Sequence, residues 1–600
     1  MKRCIIMLIS IVLVIIANDA CKSGKNASES HTQTLPPVFG QEYNDKVFHD
    51  SRVRSYLTPQ RIVWKYDDGG KLIANAEGLL AKGNNGQSEL TNREVCVMRS
   101  TDNEHAAIVL DFGMEIHGGI QFVTTIANSK TPVRIRVRFG ESVSEAMSEI
   151  GDAQGATNDH AMRDFTMELP WLGVAEIGNS GFRFVRIDLL DANAVLNLKE
   201  INAVFVYRDI PYLGSFRCND ERLNRIWMTG AYTVHLNMQE YVWDGIKRDR
   251  LVWLGDMHPE VMTISSVFGY NDVVPKSLDL ARDITPLPAW MNGISSYSLW
   301  WIIIHRDWYL HHGNLAYLKE QRDYLEALLN ILLTKVDETG QNKLDGHKFL
   351  DWPSSPNVQG VSAGLQALMT ISFQAGAELC TALGNSELAA KCTETVSLMQ
   401  KYIPEHNNLK QAAALMALAD VIPAEKANDD VILVGGPKGF STFYGYYMLE
   451  AQAKAGDYQS ALDNIRQYWG GMLDMGATTF WEDFDLDWTV NAAGIDELVP
   501  EGKKDIHADF GAYCYENLRH SLCHGWASGP TAWLSAHVLG VQILEPGCKK
   551  IRIKPNMGDL QWVEGTFPTP FGIIYIKHTK DADGKLKTEV KAPKGVKLLK

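Results

Sequence analysis

The chain has 600 residues, of which 45% are hydrophobic and 22% charged. This composition is typical of a globular protein, and the chain is too long for one hydrophobic core. Its formal net charge is -14. This acidic balance argues against a nucleic-acid partner or a broad anionic-membrane contact, and it is compatible with a neutral glycan. We expect roughly two to four domains.

The chain begins with an apolar run at residues 5–16, preceded by two basic residues and followed by Ala20 and Cys21. Because this run is too short to span a bilayer comfortably, we interpret residues 1–21 as an export signal. The Ala-Cys pair and the polar linker at 22–35 are typical of a bacterial lipoprotein with Cys21 lipidated; the alternative is ordinary cleavage and a free periplasmic protein. The prediction is a protein exported to the periplasm or outer membrane of a Gram-negative bacterium, with membrane contact only through the lipid anchor.

Residues 36–212 have a strand-like pattern. Short apolar or alternating runs at 107–110, 119–123, 133–139 and 182–187 are separated by Gly, Asn and Asp turns. This pattern predicts an antiparallel β-sandwich with one solvated face.

The pattern becomes helical at residues 213–540. An apolar stripe follows Phe216, and further helices are predicted at 296–312, 315–335, 362–383, 387–402, 441–455 and 458–468. Paired helices in this number favour an (α/α)6 barrel over a helical solenoid, since no fixed-period repeat is present. Residues 541–600 return to strands and predict a small C-terminal β-sandwich, so the predicted fold class is multidomain α+β.

Seven cysteines remain after Cys4 and Cys21 are set aside with the export segment. They are scattered without C-x-x-C pairs, which predicts buried small hydrophobes rather than disulfides or a zinc site. They are Cys96, Cys218, Cys380, Cys392, Cys514, Cys523 and Cys548.

The segment from Trp243 to Glu260 holds three aspartates, two arginines and two tryptophans within eighteen residues. Carboxylates interleaved with aromatic rings suit a pyranose site. The carboxylates bind sugar hydroxyls and transfer protons, and the flat aromatic side chains cover the sugar ring. The spacing would align its carboxylates on one helix face, or Pro259 would start a helix near His258 and leave residues 244–257 as a loop. A solvated, salt-bridged surface is the alternative to a site.

This segment resembles the signature of the α-L-rhamnosidases of glycoside hydrolase family 78. The resemblance places Asp244 and Asp256 on the family's sugar-binding aspartates, Arg248 on its arginine and Trp253 on its tryptophan. Asp249 falls on the general-acid position, where the family usually has Glu. Two interpretations stay open here: Asp249 is the acid, or the acid is another nearby carboxylate such as Glu260.

A second stretch places Trp481 and Glu482 after the Gly476 turn. It resembles the family's motif for the catalytic base, although a loop glutamate taken alone is more often simply exposed. In an inverting hydrolase one carboxyl protonates the leaving oxygen while the other activates water from the opposite face. The resemblance therefore implies that Asp249 and Glu482 face each other across the sugar.

Further sugar contacts are implied at Asp351, Trp352, Trp481 and His524. A capped core tryptophan is the alternative for the Asp351-Trp352 pair. His520 and His524 have metal-ligand spacing, but no H-E-x-x-H motif accompanies them, so we predict no metal and no cofactor.

Together these observations predict an exo-acting, inverting glycoside hydrolase that releases terminal α-L-rhamnose from an oligo- or polysaccharide. The alternatives are a glycosidase of the same fold for another terminal sugar and a non-catalytic glycan-binding protein. The sequence leaves the oligomeric state undetermined.

Overall fold

The computed structural model describes residues 35–599, except residues 45, 83–85, 91–93, 128–129, 152–154 and 514. The predicted export segment with Cys21, most of the linker, and Cys514 lie outside these residues. The chain divides into two units, Met1–Ser51 and Arg52–Lys600. The first contains a short helix, α1 (Gln41–Asn44), and the second contains everything that follows. No helix in the described ranges combines the length and apolar character that a membrane crossing requires.

The predicted class is confirmed at the level of multidomain α+β, with an N-terminal β domain, a helical middle domain and a small C-terminal β domain. The N-terminal domain is an antiparallel sheet in the order β3-β4-β9-β5-β8-β6-β7, with β1 paired to β9 and β2 to β5. Its elements are β1 (Val53–Leu57), β2 (Arg61–Tyr66), β3 (Ile73–Ala74), β4 (Cys96–Arg99), β5 (Ala107–Thr124), β6 (Val133–Gly140), α2 (Val143–Met147), β7 (Asp164–Leu169), β8 (Gly173–Leu189) and β9 (Val195–Tyr207).

Strand β5 joins two runs that the sequence suggested as separate strands. Its register against β8 shifts between Asp111 and Ile116 and again between Gly118 and Ile120. Gly118 has φ +146°, and a Cβ at this position would meet the Val204 carbonyl oxygen at 1.9 Å. Glycine therefore lets one long strand change partners, so the β domain is hydrogen-bonded continuously rather than as two separate sheets.

The helical domain begins at α3 (Glu221–Asn237), whose apolar stripe is buried as predicted. The Asp220 side chain caps this helix by accepting from the amides of Arg222 and Leu223. The remaining helices are α4 (Met257–Val267), α5 (Val273–Asp283), α6 (Ser295–His312), α7 (Leu315–Glu320), α8 (Arg322–Leu333), α9 (Val358–Leu383), α10 (Ser386–Met399), α11 (Lys410–Leu418), α12 (Ala424–Ala427), α13 (Gly445–Lys454), α14 (Tyr458–Asp474) and α15 (Gly529–Trp533).

Six of these helices pack in a cyclic sequence of neighbours. Helix α4 contacts α6, α6 contacts α9, α9 contacts α11, α11 contacts α13, α13 contacts α15, and α15 returns to α4. Large aromatic side chains fill the space between helices, and several, including Trp300, Trp469 and Trp533, are almost completely buried. The loops that connect these helices therefore rest on a densely packed aromatic core.

The C-terminal domain contains the strands β13 (Val541–Glu545), β14 (Lys550–Ile553), β15 (Trp562–Thr569), β16 (Gly572–Lys580), β17 (Leu586–Lys591) and β18 (Lys597–Leu599). A short parallel pair, β11 (Ala492–Ala493) and β12 (Lys504–Asp505), lies in the preceding loops. Strand β10 (Ser215–Cys218) precedes the helices but pairs with β15, so the two small sheets have the orders β10-β15-β16-β17 and β13-β14-β18. The residues just after position 213 thus complete the C-terminal sheet, whereas the sequence assigned them to the helical domain.

The prediction that the cysteines are buried is confirmed for the six that the structure describes. Each carries a free thiol and is buried. Burial raises the pKa of the Cys96 and Cys548 thiols to about 12, so these groups behave as small apolar side chains.

Candidate active site

A cavity of about 370 Å³ opens in the helical domain beneath loops of both the helical and the N-terminal β domain. This volume lies at the small end of the range of roughly 300 to 1,000 Å³ for ligand sites. Four carboxylates face the cavity together with basic and aromatic side chains. The lining residues are His160, Asp244, Arg248, Asp249, Trp253, Asp256, Ile294, Tyr297, His347, Phe349, Trp352, Glu482, Tyr515, Arg519, His524 and Trp526.

The charged segment reaches this cavity as a loop. Helix α4 begins only at Met257, so the second of the two predicted geometries is correct. The loop is closed on itself because the Asp244 amide donates to the Leu251 carbonyl (3.1 Å) and Asp244 Oδ1 accepts from the Leu251 amide (2.9 Å). Arg250, inside this turn, has φ +62°, which a helix would not allow.

Arg248 joins the two predicted catalytic carboxylates. Its Nη1 lies 3.3 Å from Asp249 Oδ1, and its Nη2 donates to Glu482 Oε2 at 2.7 Å. Its Nε donates to the Arg519 carbonyl, and its guanidinium lies 5.0 Å from the centre of the Tyr515 ring. Since the guanidinium is rigid and planar, the two carboxylate oxygens that it contacts are held within about 8 Å of each other.

Glu482 is buried and held by the backbone as well as by Arg248. Its Oε2 accepts from the Ser521 amide at 3.1 Å, and its own amide donates to the Ser521 carbonyl at 3.0 Å. Its carbonyl accepts from Trp526 Nε1 and Thr442 Oγ1. These bonds fix the carboxylate at the cavity wall, as a group that must accept a proton at one position requires.

His524 and Asp256 form a buried ion pair in the wall of the cavity. His524 Nε2 lies 3.0 Å from Asp256 Oδ2, its Nδ1 lies 3.8 Å from Glu482 Oε1, and the Tyr297 hydroxyl donates to Asp256 Oδ1. Burial alone would lower the pKa of His524, but the carboxylates of Glu482 and Asp256 raise it to about 9. An imidazolium at neutral pH therefore offsets part of the negative charge of the cavity.

This pKa predicts how stability depends on pH. A histidine at about 9 in the folded state, against 6.5 ordinarily, contributes stability that is complete below pH 6.5 and is lost as the pH rises through 9. We expect His524→Gln to cost up to about 3 kcal/mol of unfolding free energy near pH 6 and much less at pH 9.5. Urea unfolding across this range measures the difference.

His305→Gln is the matched control. His305 is equally buried, but burial lowers its pKa to about 4, so in the folded protein it is neutral throughout the range. The cost of this control should rise by up to about 1 kcal/mol between pH 6 and pH 9.5, because only the unfolded state binds the proton near pH 6. A His524→Gln cost that rises in the same direction, or that does not change, would contradict the assigned charge.

Burial also raises the pKa of two aspartates that line the cavity, Asp244 and Asp256. The pKa of Asp244 lies well above its ordinary range because the group is buried, and the charge of His524 only partly offsets this effect. The pKa of Asp256 is raised for the same reason. An Asp244 carboxyl that keeps its proton can donate as well as accept a hydrogen bond, which is useful for binding sugar hydroxyls, whereas Asp256 is ionised in its pair with His524.

Two of the implied sugar contacts lie outside the cavity lining, which corrects their placement. Asp351 is buried and accepts hydrogen bonds from Ser441 Oγ (2.6 Å), Gln411 Nε2 (3.0 Å) and the Ser354 amide. Trp481 is buried beside Phe484, with 5.6 Å between ring centres. Both support the site from behind, because their polar or apolar surface is already used within the protein.

Glu260, the alternative acid, does not line the cavity either. It is completely buried, and a Cβ at Gly525 would lie 1.6 Å from its Oε1. Neither of its carboxylate oxygens has a hydrogen-bond partner among the described residues, and burial raises its pKa well above the ordinary range. The carboxylates that can reach a ligand on this side are therefore Asp244, Asp249 and Asp256.

The sequence prediction missed several lining residues. Tyr297 lies at the start of α6, His347 and Phe349 share the loop before α9, Tyr515 lies in a later loop, and Arg519 shares the segment of His524. Most distant of all is His160, which belongs to the N-terminal β domain. None of these positions carries a local motif, except that Arg519 stands five residues before the singled-out His524.

One cluster near the site has potential metal ligands. Ligand atoms of Glu141, Glu145 and His507 lie within 4.8 Å of one another. Lys247 Nζ lies 3.2 Å from Glu141 and 3.1 Å from Glu145, and it donates to the carbonyls of Leu518 and His520. This ammonium supplies the positive charge that the buried glutamates need, and it anchors the residue next to Arg248.

Fold and cavity together define a class of protein. A helical domain between two β domains, with paired carboxylates and aromatic rings around a sugar-sized cavity, is typical of glycoside hydrolases. Three family models match successive parts of the chain: the glycosyl hydrolase family 78 alpha-rhamnosidase N-terminal domain at 86–204, the bacterial alpha-L-rhamnosidase 6 hairpin glycosidase domain at 211–538 and the bacterial alpha-L-rhamnosidase C-terminal domain at 540–599. The chain belongs to the bacterial α-L-rhamnosidase family.

Individual relatives are distant. An α-L-rhamnosidase of Alteromonas sp. (strain LOR) is 24% identical over 535 residues, which is 80% of this chain and 54% of that protein. The family 78 rhamnosidase of Bacillus sp. GL1 matches 88% of this chain and 55% of its own with TM-score 0.70 and 23% identity. A rhamnosidase of Klebsiella oxytoca with rhamnose bound matches over 81% of this chain and 96% of its own length, with TM-score 0.63 and 21% identity. The chain thus spans about half the length of the first two, and the structural matches at this identity concern the fold.

Proposed function

We propose that the protein is an exo-acting glycoside hydrolase that releases terminal α-L-rhamnose from an oligo- or polysaccharide with inversion. The observation that carries this proposal is the placement of Asp249 and Glu482 on the two ends of the Arg248 guanidinium. Inverting hydrolases hold their carboxyl groups about 6.5 to 9.5 Å apart, to leave room for water. The contacts to Arg248 give an upper bound of about 8 Å, which includes both this range and the roughly 5 to 5.5 Å of retaining enzymes, so inversion is proposed from the family resemblance.

The residues divide into a catalytic pair and a set that binds the sugar. Asp249 stands on the acid side of the cleaved bond, and Glu482 takes the proton of the attacking water. Asp244, Arg248, Asp256 and His524 bind sugar hydroxyls, and Trp253 and Trp352 cover the ring. The family membership and the rhamnose bound to the Klebsiella relative support rhamnose as the sugar.

The proposal includes a finer statement about the fold. We infer that the helical domain is a closed (α/α)6 barrel whose inner helices are α4, α6, α9, α11, α13 and α15. The cyclic order of their contacts supports it, as does the six-hairpin description of the matching family model. The cavity would then lie at one end of the barrel. A cavity of about 370 Å³ suits a single terminal sugar, which is why we propose exo action.

A panel of aryl α- and β-glycosides tests the activity, with NMR to follow the anomer that is released first. We expect cleavage of the α-L-rhamnoside and initial release of β-L-rhamnose. Initial release of the α-anomer would overturn inversion. Cleavage of another sugar alone would overturn rhamnose, and tight sugar binding without any cleavage would leave a binding protein.

We also propose that Cys21 is lipidated and anchors the exported protein. The apolar run at residues 5–16, followed by Ala20 and Cys21, supports this proposal. We expect Cys21→Ser to move the protein from the membrane fraction to the soluble fraction of its host with its specific activity kept, because losing the acyl chains removes the membrane affinity. Cys4→Ser, inside the segment that is removed, is the control. Unchanged membrane partitioning of the Cys21 variant would contradict the anchor.

A further inference from the structure

A loop of the N-terminal β domain carries His160 into the cavity of the helical domain. The loop is firmly held. The Asn158 side chain accepts from the amides of Arg163 and Asp164 (2.8 and 3.0 Å), and the buried Arg163 guanidinium donates to Ser180 Oγ (2.8 Å) and the Phe139 carbonyl (3.1 Å). The imidazole therefore occupies a defined position rather than the tip of a free loop.

The ring nitrogen that faces the site has a partner for either protonation state. His160 Nε2 lies 3.3 Å from Asp249 Oδ1, 3.6 Å from Asp159 Oδ2 and 3.4 Å from Arg519 Nη2. When deprotonated, Nε2 accepts from Arg519 Nη2. When protonated, its positive charge lies at ion-pair distance from Asp249 Oδ1. The proton on Nε2 can therefore be lost and regained while this nitrogen keeps a polar or charged partner, as a group that gives up a proton in every catalytic cycle requires.

The other contacts of Asp249 do not have this property. Trp253 Nε1 donates to Asp249 Oδ2 at 3.1 Å, and Arg248 Nη1 approaches Oδ1. Indole and guanidinium nitrogens keep their protons at any ordinary pH, whereas imidazole gains and loses one near neutrality. Among the contacts of Asp249 in the described chain, His160 is the partner that can supply a proton.

We propose that His160 and Asp249 together form the general acid, as an ion pair that holds one transferable proton. This inference rests on the proposed hydrolase activity. As the bond from the anomeric carbon to the leaving oxygen breaks, the transferable proton moves to that oxygen, while water adds to the anomeric carbon and gives its proton to Glu482. The pair then regains a proton from solvent at His160, whose side chain is 29% exposed, and Glu482 releases its own.

The test compares His160→Gln with wild type on two α-L-rhamnosides, an alkyl glycoside with a poor leaving group and a nitrophenyl glycoside with a good one. We expect kcat/KM to fall by about 100-fold or more on the alkyl glycoside and by less than about tenfold on the nitrophenyl glycoside. Imidazole added to His160→Gly should restore part of the alkyl activity. Met162→Gln, on the exposed side of the same loop, should behave as wild type.

Three results would overturn the inference. An unchanged ratio between the two substrates in His160→Gln would mean that Asp249 acts without the histidine and would leave the proposed function intact. Equal losses on both substrates would make His160 a positioning residue only. A wild-type protein that cleaves neither rhamnoside would overturn the inference and the proposed function together.

If the glutamine variant fails to fold, the wild-type enzyme still decides the question. Histidine-selective ¹⁵N NMR follows the proton of His160 as the pH rises, with Asp159, Asp249 and Arg519 as its charged neighbours. We expect its loss to coincide with the high-pH limb of kcat/KM for the alkyl glycoside. If kcat/KM for the alkyl glycoside decreases at a clearly different pH, the proposal that His160 and Asp249 together form the acid is overturned.

Discussion

Replacing Glu482 by glutamine is expected to lower kcat by about 10³- to 10⁴-fold on every glycoside that the protein cleaves, with little change in KM. The amide keeps a carbonyl oxygen for Arg248 and the Ser521 amide, so the wall of the cavity should stay in place. What is lost is a base for the attacking water, which all substrates need regardless of leaving group. Steady-state kinetics on aryl and alkyl α-L-rhamnosides measure the effect.

The neighbouring carboxylate provides the control. Asp483 follows Glu482 directly but does not line the cavity, and its Oδ1 accepts from the Phe484 amide, a bond that asparagine keeps. Asp483→Asn should stay within about threefold of wild type. In Glu482→Ala, added azide should produce a glycosyl azide of inverted configuration, because the anion takes the place of water. A Glu482→Gln enzyme with near-normal kcat would remove Glu482 from the base role.

Replacing Asp249 by asparagine is expected to discriminate between substrates instead. Hydrolysis of alkyl or saccharide glycosides should fall by about 10³-fold, whereas nitrophenyl glycosides should lose less than about tenfold, since a good leaving group needs little protonation. Asparagine retains an oxygen for Trp253 Nε1 or Arg248 but breaks the ion pair with His160. The expected pattern is therefore that of His160→Gln, only stronger.

Glu260→Gln separates Asp249 from the alternative acid. Glu260 is buried behind Asp244 and Asp256, so its glutamine variant should keep the wild-type ratio between alkyl and nitrophenyl substrates, whatever it does to stability. If the ratio changes with Glu260→Gln and not with Asp249→Asn, the acid lies on Glu260. Full activity of Asp249→Asn on a natural glycan would exclude Asp249 from proton transfer.

Much of the architecture was predictable because it depends on local pattern. The period-two runs that became β5, β6 and β8, and the helices beginning near Ser295, Val358 and Tyr458, follow from side-chain spacing alone. Strand β10 was not predictable in this way. Its four residues pair with β15, more than three hundred positions later. The local sequence of a short strand before a helix does not specify which strand it will pair with.

The same division holds for the site. The density of charge and tryptophan between Trp243 and Glu260, and the Trp481-Glu482 pair, by themselves marked the segments that carry the candidate carboxylates. Only the tertiary structure decided that Arg248 and Glu482, 234 residues apart, share a hydrogen bond, that Trp481 does not line the cavity, and that His160 enters from the β domain. The physical reason is that residue type and spacing determine which groups can do chemistry, whereas the direction in which a loop side chain points depends on contacts between chain segments that no local pattern specifies.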